Sequence, residues 1–465
     1  MERSVLPLFQ CVVFLCLLYP VSIAVFFMNS TTKFLPDDSL AGVRLGIFLL
    51  LAPIFIKYAI QLFTTPFYSL LGRFRKAGME SAAEPLVSVL IPAWNEEVGI
   101  LKTINSVLAT QYKNLEVIVI NDGSTDATHD LVTGFIQNYG VHGQPNEKIK
   151  YLCLSNGGKA NALNQGLMIA DGEIIITIDA DSVMDKSAIV NIVKQFTDNK
   201  VAAVAGNVIV GNRKKPIELL QQLEYLYGFF FKRADSAFNS VYIIGGAAAA
   251  YRKNVLMELG GFDHDIITED IEMSTRILAH GYKTRYAADA VVYTEGPSSW
   301  SGLCNQRLRW KHGRLLTFIK HRKLFFSCQK QHSPYLTFLL LPIAVYAEFA
   351  LLFEAVLLFL FYGYTIHTND YLPLVILIVF ISTVILLQIA VDAKSRFHRN
   401  LLVLAPVAWI VFYIIDVVEF QALCRSIKRL ATREKLQWQK WQRVGLLNPM
   451  GGQPPAGLKV ATETK

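Results

Sequence analysis

The residues able to do chemistry lie in a few short stretches. ITED places two carboxylates, Glu269 and Asp270, side by side. Adjacent acids in a cleft have their pKa values pushed apart, which leaves one suited to take a proton. The same run also reads as an acid-rich helix start. IDADS holds Asp179 and Asp181 just past an apolar run. If the chain turns there, both carboxylates face one point, and oxygen ligation of that kind suits Mg²⁺ or Mn²⁺ bridged to substrate phosphates. A solvated loop is the plainer reading of an Asp-x-Asp by itself. Asp122 in INDGS sits in an Asn-Asp-Gly turn, a common structural device. NGGKANALNQG sets a glycine pair and Lys159 before a helical pattern. It lacks the GxxxxGK[ST] spacing of a Walker loop, although a glycine-lined helix start with a lysine can hold a diphosphate. NQRLRW crowds Arg307 and Arg309 around Trp310, with Lys311 and Arg314 following. By composition it is a membrane-surface anchor, with cationic stems snorkelling and the indole at the interface. Leu315, Leu316, Phe318 and Ile319 continue it as an amphipathic interfacial helix.

Strand and helix patterns must position these groups. LVSVLIPAW, LEVIVINDGS, IKYLCLS, EIIITIDADS and VAAVAGNVIV read as buried strands. Helical patterns alternate with them: a stretch capped by Asn95 with Glu96 and Glu97 in its first turn, then Asp126 to Tyr139, Lys159 to Ala170 and Lys186 to Phe196. The alternation predicts a mostly parallel, doubly wound α/β sheet with helices on both faces. Ligands of such sheets bind beyond the carboxyl ends of the strands. Asp122, Asp179 and Asp181 all follow strands, which shifts them from turn formers toward a shared site.

The chain has 465 residues, of which 52% are hydrophobic, with 45 Lys and Arg against 37 Asp and Glu. An apolar, mildly basic chain predicts a membrane protein with positive cytoplasmic loops. Leu6 to Met28 and Leu45 to Phe63 are candidate spans before the α/β region; Leu336 to Gly363, Tyr371 to Val391 and Leu401 to Val418 follow it. Arg73, Arg75 and Lys76 after the second span and the basic residues from Arg307 to Lys323 place the middle region in the cytoplasm. Five crossings then put the C-terminus outside, yet the tail from Arg425 to Arg443 is strongly basic. Either one late span does not cross or the charge rule fails there. Glu348, Glu354, Asp416 and Glu419 fall in or beside the late spans, where carboxylates line aqueous paths or pair with other groups. The six cysteines form no CxxC pair and read as reduced thiols. Nucleic-acid binding is excluded as a reading, because the basic residues cluster beside spans rather than on one face of a soluble module.

Together, IPAWNEE, INDGSTDAT, NGGKANALNQG, IDADS, GGAAAAYRKNVLMELGGFD, ITED and QRLRW, in this order, resemble the processive family-2 glycosyltransferases of GT-A fold over roughly Pro85 to His321. The likeness is greatest to the bacterial poly-β-1,6-N-acetylglucosamine synthase branch, with hyaluronan, chitin-oligosaccharide and cellulose synthases further off. The tail REKLQWQKWQRVG is similar to tails in that membrane group. The resemblance implies a cytoplasmic GT-A domain over 73–299, between N-terminal spans in 1–72 and about three spans in 334–424. The QxxRW segment and interface helix fill 300–333, and a basic, partly disordered tail fills 425–465. It implies an enzyme of the cell membrane that transfers a sugar from a uridine diphosphate donor, UDP-GlcNAc by likeness, to a polysaccharide acceptor with inversion, and exports the polymer. Asp122, supported by Pro92, Ala93 and Glu96, would contact the nucleotide. Asp179 and Lys159 would lie by the donor, and Asp181 with Asp179 would hold Mg²⁺ or Mn²⁺. Asp270, next to Glu269, would be the general base, and Gln306, Arg309 and Trp310 would close over the diphosphate and acceptor. GGAAAAYR departs from the family in its run of four alanines and would lie near the acceptor. Single transfer to a lipid, an inactive scaffold within a synthase complex, and dependence on a small membrane partner subunit stay open.

Overall fold

The computed structural model describes residues 38–68, 70, 84–139, 148–432, 434, 436, 443 and 445–446. The first candidate span and the Gly/Pro-rich terminus lie outside these residues. The α/β region is built on one eight-stranded sheet of order β3-β2-β1-β4-β7-β6-β8-β5. Its strands are β1 Val87–Ala93, β2 Leu115–Asp122, β3 Ile149–Leu154, β4 Ile174–Thr177, β5 Val183–Met184, β6 Val201–Val210, β7 Ala249–Arg252 and β8 Lys283–Thr294. The five strands expected from the apolar runs are present. The sheet is parallel across β3, β2, β1 and β4. Beyond β4 it becomes mixed: β7 is antiparallel to both β4 and β6, whereas β6 and β8 run parallel.

The near-continuous apolar character of β1 and β2 follows from burial on both faces. Val87, Val89, Ile91, Val117 and Val119 pack on one face against Ile100, Ile104 and Val107 of α2 (Ile100–Leu108). The alternate residues Leu90, Ile118 and Ile120 pack on the other face against Ala162, Leu163 and Leu167 of α4 (Lys159–Ile169). Between these two helices in sequence lies α3 (Thr128–Tyr139). After β5 comes the short α5 (Ala188–Val193), where the sequence pattern implied a longer helix. The four-alanine stretch forms a single 3₁₀ turn and then β7. Small side chains are required there, since a Cβ on Gly206 of β6 would stand 2.8 Å from that of Ala248. Asn95 does not cap α2, whose N-cap is Gly99. Asn95 instead adopts a left-handed backbone, φ 55°, and its side-chain oxygen accepts from the amide of Thr125 at 2.7 Å.

The remaining helices are α1 (Asp38–Thr64), α6 (Pro216–Ala237), α7 (Lys253–Glu258), α8 (Glu269–Ala279), α9 (Trp300–Lys320), α10 (Leu341–Thr368), α11 (Leu372–Val391) and α12 (Ala408–Thr432). Three segments, Tyr335–Thr368, Leu372–Val391 and Ala405–Thr432, are long and apolar enough to cross a membrane. The π-helical turn Tyr335–Leu340 leads into α10. Asp235 of α6 joins this entry to α1, accepting from Tyr335 Oη at 2.7 Å and from Gln61 Nε2 at 2.9 Å. The loop after α11 returns to the α/β region, where Lys394 pairs with Asp185 at 2.6 Å.

All three segments pack against helices of the α/β region. Ala405 and Ala408 pack with Leu223 and Leu226 of α6. Ile415 and Val418 pack with Leu303 of α9, and Ser426 hydrogen-bonds His312 at 3.0 Å. Both ends of α12 therefore touch helices of the α/β region.

Of the four acids expected in or beside the late spans, Glu348 and Glu419 are engaged with α9, whereas Glu354 and Asp416 hydrogen-bond each other. Glu348 pairs with Lys311 at 2.9 Å and with Arg314. Glu419 pairs with Lys311 at 2.6 Å and Arg307 at 3.4 Å, and Arg307 also meets Glu224 of α6 at 2.5 Å. Removing one member of such a buried set leaves an uncompensated charge, which costs about 3–5 kcal/mol. Glu348→Leu should therefore lower the thermal unfolding temperature of the detergent-solubilised protein markedly. An unchanged melting curve would show that the pairs do not hold α10 to α9.

Candidate active site

In a parallel sheet the strand ends fall at one edge. Ala93 pairs with Asn121 across β1 and β2, and Leu90 with Thr177 across β1 and β4. Asp122, Asp179 and Asp181 are delivered to this edge. Each Asp122 carboxylate oxygen accepts one backbone amide at 2.8 Å, from Gly157 and from Gly158. This fixes the NGGK turn, in which Gly158 has φ 87°. The turn in turn aims Lys159 along the sheet edge.

Lys159 Nζ stands between two acids, 2.7 Å from Asp179 Oδ1 and 3.0 Å from Glu269 Oε1. Burial disfavours its charge, but Asp179, Glu269 and Asp270 outweigh this and keep the ammonium protonated. Burial likewise opposes ionisation of Asp179, yet Lys159, Arg443 and Arg309 hold its carboxyl below the usual range. Gly246 faces the same cluster: a Cβ there would lie 2.7 Å from Lys159 Nζ and 3.6 Å from Asp270 Oδ2. Any side chain at 246 would fill the space these groups surround.

The neighbouring acids of ITED divide their tasks at the start of α8. Glu269 is buried and pinned by Lys159. Burial raises its carboxyl, against the pull of Lys159. Asp270 lines the cavity, and its Oδ1 accepts from the amide of Ile271 at 2.9 Å.

Asp181 is engaged on both oxygens. Oδ1 accepts from Ser182 Oγ at 3.0 Å and Thr294 Oγ1 at 3.4 Å. Oδ2 meets the guanidinium of Arg443, which also pairs with Glu96 at 3.0 Å. Burial raises the Asp181 carboxyl, with Arg443 acting against that rise. Among the described residues no group of three or more His, Cys, Asp or Glu converges on a metal position. Asp179 and Asp181 supply only oxygen donors, which fits a hard divalent cation whose other ligands are phosphate oxygens and water.

The basic run of α9 resolves into two faces. Gln306, Arg309 and Trp310, spaced i, i+3, i+4, line the cavity. Arg307, Lys311 and Arg314 take the glutamates described above. Arg309 lies within electrostatic reach of Glu269, Asp179 and Asp270. The Arg307 guanidinium stacks over Trp310, 4.3 Å from its ring centre, and Tyr225 flanks that ring at 6.2 Å. The composition-based anchor reading is thus corrected: these cations are buried in ion pairs and in the cavity wall instead of snorkelling. Gly313 lets α9 approach α8, because a Cβ there would overlap the Thr268 side chain.

All of these groups surround one cavity of about 620 Å³. Pro92, Ala93, Glu96, Asp122, Asp179 and Asp181 lie in its wall with Lys159, Glu269 and Asp270. Tyr225, Tyr227, Phe229, Phe231 and Tyr242 extend it toward Lys57, Tyr58 and Gln61 of α1. Burial pulls the Lys232 amine in this extension down to about 8, against Asp235 and Asp270. Sequence reasoning missed Arg443, Gly313 and Thr294, whereas Gly246 and Ser182 fall in the GGAAAAYR and IDADS stretches already set at the site. Of those missed, only Arg443 carried a signal, since it lies in the basic tail already similar to others of its kind.

The positioning of α8 against α9 depends on a further acid. Glu272 is fully buried and pairs with Arg276 of its own helix, Lys320 at 2.7 Å and His321 at 3.0 Å. Burial alone would raise its carboxyl. His321, Arg276 and Lys320 outweigh this and lower it from 4.5 to about 2.

Residues 84–313 match the family described as glycosyltransferase like family 2. The chain is 33% identical over 247 residues to a poly-β-1,6-N-acetyl-D-glucosamine synthase of Staphylococcus aureus strain COL, covering 52% of this chain and 57% of that one. It is 34% identical over 231 residues to the synthase of the same name from Staphylococcus epidermidis, covering 49% and 54%. The chain thus spans a little over half the length of these relatives. Among solved structures it is similar to the mannosyltransferase PcManGT from Pyrobaculum calidifontis in complex with GDP-Man and Mn²⁺, with TM-score 0.50, 21% identity, and coverage of 83% of this chain and 100% of that one. That likeness establishes the GT-A fold.

The lowered Glu272 carboxyl gives a pH prediction. Its contribution is complete above about pH 4.5 and is lost as the pH falls toward 2, a loss on the order of 3 kcal/mol. Thermal unfolding followed from pH 7 to 3 should show the wild type losing stability below about 4.5. Glu272→Gln should start lower and fall less over the same window. Parallel curves for the two proteins would remove Glu272 from the α8–α9 contact.

Proposed function

We propose that this chain, through the glycosyltransferase family 2 domain it carries, transfers N-acetylglucosamine from UDP-N-acetylglucosamine to the hydroxyl end of a growing β-linked polysaccharide. The observation that carries this reading is the division of labour around the cavity. Acids and cations converge at the strand ends, Asp270 faces inward, and an aromatic-lined extension leads to α1. The acidic end takes the nucleoside diphosphate. Asp122 holds the turn that presents Lys159, while Pro92, Ala93 and Glu96 wall the nucleotide side. A divalent cation bound by Asp179 and Asp181 with the diphosphate would supply charge neutralisation on the leaving oxygens.

In the transfer step the acceptor oxygen attacks the anomeric carbon as the bond from that carbon to the diphosphate oxygen breaks. Asp270 takes the acceptor's hydroxyl proton. Arg309, set in the cavity wall, offsets the negative charge that builds on the departing diphosphate, where preorganised charge is most effective. A single in-line displacement inverts the anomeric centre, so an α-linked donor gives a β-linkage. Trp310, with Arg307 stacked over its ring and Tyr225 beside it at a tilt, lines the cavity where the acceptor sugar would lie. Glu269 positions Lys159 and takes no proton from the acceptor.

The aromatic extension gives the elongating chain a route from the site toward the membrane helices, which supports processive synthesis and export by a cell-membrane enzyme with its site in the cytoplasm. The choice of donor sugar is supported by the likeness to the two staphylococcal poly-β-1,6-N-acetyl-D-glucosamine synthases. Purified membranes supplied with a panel of nucleotide sugars and Mg²⁺ or Mn²⁺ should yield a ladder of polymer from UDP-N-acetylglucosamine. A single lipid-linked sugar would replace the processive reading with one-step transfer. Asp270→Asn should fold and still bind UDP while turnover falls at least 100-fold, the lower range for loss of a general base. Near-normal turnover in that variant would sink the assignment of the base.

A further inference from the structure

Arg443 lines the acidic end of the cavity, and Gly445 and Leu446 sit in a groove beside it. Leu446 is buried against Val183, Ile209, Val291 and Tyr293. Its carbonyl accepts from Lys102 Nζ at 2.9 Å. The amide of Gly445 donates to Glu295 Oε2 at 3.0 Å. Gly445 takes φ 82°, and a Cβ there would meet Val98 Cγ1 at 3.0 Å, so this turn suits glycine. Gly211 leaves room for the Leu446 side chain, whose Cδ2 would stand 2.7 Å from a Cβ at that position. Val183 follows the IDADS turn directly, and Glu295 follows Thr294, which contacts Asp181. The groove holding the tail and the acid of IDADS are therefore parts of one local structure.

From this groove Arg443 reaches Asp181 and Glu96. With Lys159 on Asp179, both acids of IDADS are already neutralised by cations of the chain itself. The two oxygens of Asp181 are both engaged, one by Arg443 and one by the Ser182 and Thr294 hydroxyls. We infer that Arg443 is a built-in counter-ion of the metal position, and that a divalent cation reaches Asp181 only by displacing it, so that metal binding and docking of Arg443, Gly445 and Leu446 oppose each other. This rests on the metal role given to Asp181 above. Two cations cannot share one carboxylate oxygen in a buried site without strong repulsion. By linkage, whatever docking costs the metal, the metal costs docking equally.

The test uses the full-length protein in detergent without nucleotide, with Mn²⁺ alone as the probe and free Mn²⁺ read by electron paramagnetic resonance. Arg443→Gln should bind Mn²⁺ more tightly than wild type, by a factor within the roughly 5- to 150-fold range of coupled sites. Leu446→Asp, which disturbs the groove without touching either acid, should tighten it in the same direction. In the wild type, Mn²⁺ should also accelerate hydrogen exchange at the amide of Gly445. Unchanged or weaker Mn²⁺ binding in Arg443→Gln overturns the inference, whatever Leu446→Asp does. Tightening in Arg443→Gln with no faster exchange at Gly445 overturns the link to docking. Sugar transfer by the same wild-type preparation separates the two levels. Transfer with an unaltered Mn²⁺ affinity in Arg443→Gln removes this inference alone. Absence of both transfer and Mn²⁺ binding removes the reading beneath it.

Discussion

The buried ion-pair chain on α9 is the constraint on which the rest of the site depends. Arg307, Lys311 and Arg314 lie on one face of the helix and meet Glu224, Glu419 and Glu348 from three other helices. Charges this far from water are tolerable only when every one has a partner. The requirement sets the rotation of α9 about its axis and its depth between α6, α10 and α12. The opposite result of the same rotation is that Gln306, Arg309 and Trp310 face the cavity.

The other end of the cavity faces the reverse problem, an excess of negative charge. Asp122, Asp179, Asp181, Glu269, Asp270 and Glu96 all lie in its wall. Backbone amides satisfy Asp122, Lys159 bridges Asp179 and Glu269, and Arg443 bridges Asp181 and Glu96. Asp270 is the carboxylate that faces the open space without a lysine or arginine in direct ion pairing among the contacts described. Like-charged groups held this close store repulsion, and a bound cation with a diphosphate is the natural way to reorganise it.

Much of the fold was legible. The runs ending in Asp122 and Asp179 are apolar because both faces of a parallel strand are buried, so they stand out by composition. β7 did not stand out, since alanine has little strand preference, and the contact with Gly206 falls on Ala248, just before the strand. Asn95 looked like a helix cap because the residue type is right, but a side chain so short can equally brace a neighbouring turn, and the tertiary contact with Thr125 decided. The last apolar helix matched a span in length and hydropathy.

By itself the sequence determined which residues could meet. The order of acidic strand ends, the glycine-lysine turn and the paired acids of ITED all lie at fixed offsets from strands and helices, and local geometry carries them to one sheet edge. Only the tertiary structure decided what each then does. It gave Glu269 to Lys159 and left Asp270 facing the cavity, split the basic run of α9 between ion pairs and site, and returned Arg443 across more than a hundred residues to the acid that follows β4. Those choices depend on burial and on partners distant in sequence, and a buried charge is governed by its partner, which no local pattern names.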